Sequence, residues 1–154
     1  MTVPRFVRLT AIASTLAMVA CRPAPSSDFW ATNQEYELRI AMTTRPVRLS
    51  NLPPIDDSVA LSISFDSVNA DSMFGRYGEG LERIGMPIND GGLGPQMVSV
   101  RMAGDAFTLT LAPNVLDAMV VMEGHVRQGV GYGTWKPIAP SSAAGTFVMR
   151  KVKP

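Results

Sequence analysis

A period of two limits how this chain folds more than any other feature. Tyr36, Leu38, Ile40 and Met42 alternate with Glu37, Arg39 and Ala41, and Val59, Leu61, Ile63 and Phe65 alternate with Ala60, Ser62 and Ser64. The pattern returns at Val98, Val100 and Met102, at Phe107, Leu109 and Leu111, and at Val120, Met122 and Val126. Successive side chains of a strand point to opposite faces, so each run makes a strand with one buried and one wetted face. That alternation belongs to antiparallel sheet, since strands buried on both faces read as unbroken apolar runs.

The punctuation agrees. Ala103-Gly104-Asp105 joins two alternating runs as a short hairpin turn, and Ala112-Pro113-Asn114 opens another connection. A last hairpin is expected from Gly131–Trp135 and Gly145–Arg150. Between Ser72 and Gln96 the pattern is least regular. Met73–Tyr77 reads as a short strand with Gly75 at a bend or bulge, Leu81–Ile84 as one helical turn, and Asn89–Pro95 as a loop. About eight short strands with little helix predict an all-β fold, a small antiparallel β-barrel, with a β-sandwich as the alternative. Gly124, Gly131, Gly133 and Gly145, in or beside late strands, favour a bending wall and hence the barrel.

The N-terminus carries a different signal. Arg5 and Arg8 precede an uncharged run from Leu9 to Ala20. That run is too short to span a hydrocarbon core, which takes about 20 residues, but has the layout of a secretory signal. Its end, Met18-Val19-Ala20-Cys21, resembles the lipobox of bacterial prolipoproteins, with Met18 in the place usually held by Leu. The resemblance implies cleavage before Cys21, a diacylglyceryl group on its thiol and acylation of its new amine. Cys21 is the only cysteine, so no internal disulfide forms, and a lipid would occupy the leftover thiol. Arg22 is not the Asp that commonly retains such proteins at the inner membrane, so the resemblance implies the outer membrane if the source is diderm. The expected organisation is a signal peptide over 1–20, a lipidated Cys and flexible tether over 21–34, and the barrel over 35–154. Phe29 and Trp30 sit oddly in a tether, and two readings stay open: a plug for one end of the domain, or a partly ordered strand start.

Loss of the signal removes two of the 14 basic residues and leaves a net charge of −1. Without a basic stripe there is no electrostatic case for nucleic acid. Arg150, Lys151 and Lys153 read as a solubilising chain end. The expected partners are the membrane, through the lipid on Cys21, and either an envelope protein or a small apolar ligand.

Residues capable of chemistry are sparse. His125 is the only histidine, and it shares a predicted solvent face with Glu123. Two side chains on one strand are fewer than the three or four a zinc site needs, and no Gly-x-Ser-x-Gly elbow is present. Asp66, Asn69 and Asp71 lack the order of a calcium loop and read as turn formers. Met119 and Met122 are three apart on a strand, on opposite faces, so they cannot share a soft metal. Met42, Met102 and Met122 read as core filling. Neither catalytic residues, a metal nor a cofactor is expected. Gly133-Thr134-Trp135 is similar to the Gly-x-Trp of lipocalins and their calycin relatives, small barrels that often carry apolar ligands. That resemblance implies a ligand site at Trp135 with its neighbour Tyr132. A non-enzymatic envelope module is the first expected function, and a lipocalin-like carrier the alternative.

Overall fold

In the computed structural model, which describes residues 28–44, 55–84, 96–115, 118–138 and 143–153, the alternating runs become eight strands. They are β1 (Glu35–Thr44), β2 (Ser58–Asn69), β3 (Ser72–Tyr77), β4 (Met97–Ala103), β5 (Ala106–Leu111), β6 (Val120–Arg127), β7 (Val130–Pro137) and β8 (Ala144–Lys151). Every strand pairs antiparallel with its neighbours in sequence, and β1 also pairs with β8, closing the barrel. Closure leaves no open sheet edge to template aggregation. The barrel, not the sandwich, is therefore the fold.

The burial alternation follows the sequence period closely: on β2, Val59, Leu61, Ile63 and Phe65 point in while Ala60, Ser62 and Ser64 point out. Charged side chains of β1, β4 and β6, and Arg150 of β8, stand on the outside. A transmembrane barrel has the reverse alternation, apolar outside and polar within. This wall is built to be wetted.

Both ends of the barrel are stoppered. At one, Phe29 and Trp30 are buried, Trp30 with its ring 4.9 Å from Phe107 and 5.8 Å from Phe65. The Tyr36 hydroxyl secures them, donating to the Phe29 carbonyl at 2.8 Å and accepting from the Ala31 amide at 2.8 Å. The packed body thus reaches into the 21–34 stretch read as a tether, because two large aromatic side chains favour burial over exposure. At the other end, the 3₁₀ turn over Leu81–Ile84 inserts Leu81 and Ile84. Asn89–Pro95, expected as a loop, lies outside the described residues, as does Cys21.

The bulge expected at Gly75 is present but sits across from it. Phe65 pairs Gly75 and Ser67 pairs Phe74, leaving Asp66 as the extra residue in β2. A Cβ on Gly75 would lie 1.8 Å from the Ser64 carbonyl oxygen, so the bulged strand presses onto a residue without a side chain.

The β6–β7 hairpin turns at Gln128 and Gly129, both with positive φ (51° and 74°), as a type I′ turn requires. Glutamine pays a steric cost in that region which asparagine largely avoids. Gln128→Asn should raise stability by about 0.5–1 kcal/mol, read as a higher urea midpoint at unchanged slope.

Candidate functional site

Trp135 and Tyr132, expected together at a ligand, lie on opposite faces of β7. Trp135 points inward and is 2% exposed, while Tyr132 belongs to the outer wall, across from His125 and Val148. They are three positions apart, and an odd offset on a strand reverses the face. The indole of Trp135 is committed elsewhere. Its Nε1–H donates to the Ala41 carbonyl at 3.0 Å, joining β7 to β1 across the intervening β8. Gly145 of β8 makes the crossing possible, since a Cβ there would lie 1.9 Å from the Ala41 oxygen and 2.5 Å from the indole nitrogen. In this chain the Gly-x-Trp tryptophan works as a clasp between strands.

The rest of the interior is equally occupied. Tyr36, Phe65 and Phe147 are each at most 1% exposed, and Leu38, Ile40, Leu109, Met122 and Met149 are fully buried. Met42 and Met102 pack partly buried against this core, as the period implied. Among the described residues no charged or polar side chain is buried and no buried side-chain nitrogen or oxygen lacks a partner. A ligand pocket instead needs space and a few convergent polar groups.

Burial pushes the Tyr36 phenol above its ordinary 10.0, an effect the Ala31 amide partly offsets, and burial raises Tyr77 as well. The folded state therefore holds these protons more tightly than the unfolded chain. Their contribution is complete below pH 10 and declines as pH rises through the folded values. Thermal stability should stay level to about pH 9 and fall above about pH 10, with a shallower fall in Tyr36→Phe.

Concave space lies outside. One groove of about 510 Å³ crosses the outer faces of β2, β1 and β8. Its floor is made of Ala41, Ser58, Ala60 and Thr146, and Arg39, Arg83 and Arg150 stand along it. Arg39 binds Glu37 at 2.6 Å and Arg83 binds Asp56 at 2.6 Å. The hydrogen bond from Arg39, with further attraction from Arg150, holds the Glu37 carboxyl below the usual carboxylate range. Three guanidinium groups facing two carboxylates favour anionic groups on whatever lies in this groove. Its small floor residues and large cationic rim come together only through register: Glu37 lies opposite Arg150 and Arg39 opposite Val148 and Ala60. The expectation of one C-terminal cationic cluster is corrected by the same pairing. Arg150 faces outward, whereas Lys151 pairs with Tyr36 and its Nζ donates to the Asp28 carbonyl at 2.5 Å.

A second outer depression, of about 530 Å³, gathers Glu123 and His125 of β6 with Thr108, Arg101 and Asp71. Asp71 sits at the β2–β3 turn and accepts from Arg101 at 3.1 Å and from the Ser72 hydroxyl at 3.0 Å. Those bonds hold its carboxyl below the usual range, which makes it a poor proton acceptor. Among the described residues no group of three or more His, Cys, Asp or Glu side chains is placed to hold a metal ion.

No family model matches this chain, and no curated protein or solved structure matches it either.

Proposed function

We propose that this chain is a lipid-anchored bacterial envelope protein whose barrel works through its outer surface, as a non-enzymatic interaction or structural module. The filled interior is the observation that carries the reading. An eight-stranded barrel either packs its lumen with side chains or holds one small ligand, and here aromatic and aliphatic side chains occupy it and stopper both ends. A lipocalin-like carrier, which the Gly-x-Trp motif implies, would need Trp135 and Tyr132 to share an open lumen. The lipid on Cys21 supplies the attachment to the outer membrane of a diderm host, and the arginine-lined groove over β2, β1 and β8 is the face offered to an acidic partner.

Titration with fluorescent apolar probes such as an aminonaphthalene tests the choice. The expected result is no saturable site on the folded domain. A stoichiometric site of micromolar affinity, abolished by filling mutations inside the barrel, would overturn the module reading in favour of the carrier.

A further inference from the structure

The two ends of the barrel are built differently. One carries the three tight hairpins, β2–β3, β4–β5 and β6–β7, where each strand leads to the next through two residues. At the other end, successive strands are separated by longer stretches of sequence, 45–57, 78–96, 112–119 and 138–143. The chain enters and leaves the barrel at the hairpin end: the Asp28 carbonyl is held there by Lys151, the last residue of β8, and Phe29 and Trp30 plug that end. Cys21 precedes Asp28 by seven residues. Seven residues reach at most about 25 Å when fully extended, about the length of one eight-residue strand. A leash this short brings the hairpin end to the bilayer and keeps the far end off it.

Exposed apolar side chains are present at the hairpin end. Among the described residues five large apolar side chains are exposed: Val68 (60%) lies on the β2–β3 hairpin, Val152 (39%) just beyond β8, and Phe74 (39%) two residues up the wall from Ser72. Val148 is midway along β8 and Ile138 follows β7 at the loop end. Charge at the hairpin end is nearly balanced, Arg101, Arg127, Lys151 and Lys153 standing against Asp28, Glu35, Asp66, Asp71 and Asp105.

We propose that the hairpin end is a membrane-facing surface, with Val68, Val152 and Phe74 resting in the headgroup region of the bilayer that holds the lipid, and the loop end pointing away. The proposal rests on the lipoprotein reading of Cys21. Linkage supplies an effective concentration of ~mM for a short tether, so these few apolar contacts suffice without a strong intrinsic affinity. Because the end is nearly neutral, its seating does not depend on ionic strength.

The test uses the full lipidated chain in vesicles of phosphatidylethanolamine and phosphatidylglycerol. With Cys21 acylated, a second cysteine is the only free thiol, so Val68→Cys, Val152→Cys and Ile138→Cys each accept one fluorophore. Headgroup nitroxide lipids should quench the labels at 68 and 152 several-fold more than the label at 138, in low and high salt alike. Equal quenching at both ends of an acylated protein overturns the orientation and leaves the anchor standing. An intact mass without lipid on Cys21 overturns both.

Discussion

Trp135→Ala should destabilise the domain by about 3–5 kcal/mol, the range for truncating a large buried aromatic. Native domains have only about 5–15 kcal/mol in hand, so the variant should unfold at markedly lower urea. Two losses combine: the indole leaves a void in a filled core, and the Ala41 carbonyl loses its donor. Trp135→Phe separates them, since it keeps most of the volume and removes only the N–H. It should cost about 1–3 kcal/mol, the penalty for a buried polar group left without a partner. Gly145→Val should match the alanine variant by another route, because its side chain would occupy the space where the indole meets β1. Equilibrium unfolding followed by far-UV circular dichroism reads all three. A Trp135→Ala protein with unchanged stability would remove the clasp and return Trp135 to the role of a ligand platform.

Cys21→Ser should move the protein from the membrane fraction to the soluble one. Each acyl CH₂ placed in the bilayer contributes ~0.8 kcal/mol, and two or more chains anchor a protein stably while one holds only marginally. Nothing on the described wall replaces that: its outward residues are largely charged or polar, and no helix among the described residues is long and apolar enough to cross a membrane. Fractionation before and after a carbonate wash checks it. A serine variant that stays with the washed membrane would show that Cys21 is not the anchor.

The strands were legible because alternation is a local signal. Tyr36 to Met42 and Val59 to Phe65 declare their inward faces without reference to anything else. Closure was less so, since it depends on β1 meeting β8 across more than a hundred residues. The late glycines pointed to it, and Gly145 now has a physical reason in the approach of the Ala41 carbonyl. At Trp135 and Tyr132 a three-residue motif weighed more than the period-two rule that separates them. Arg39 was visible as an outward residue and Arg150 only as a solubilising charge near the chain end, and register alone brings them to one groove. Phe29 and Trp30 fell inside the stretch read as a tether, with a plug as one of two open readings, and it is their aromatic surface that decides for the plug.

The most direct measurement is native mass spectrometry of the full protein, extracted gently from its own envelope and then sprayed under denaturing conditions. The expected mass is the chain from Cys21 onward with covalent acyl groups, the same before and after denaturation. An unmodified Cys21 would contradict the anchor, and an apolar guest lost on denaturation would contradict the filled barrel.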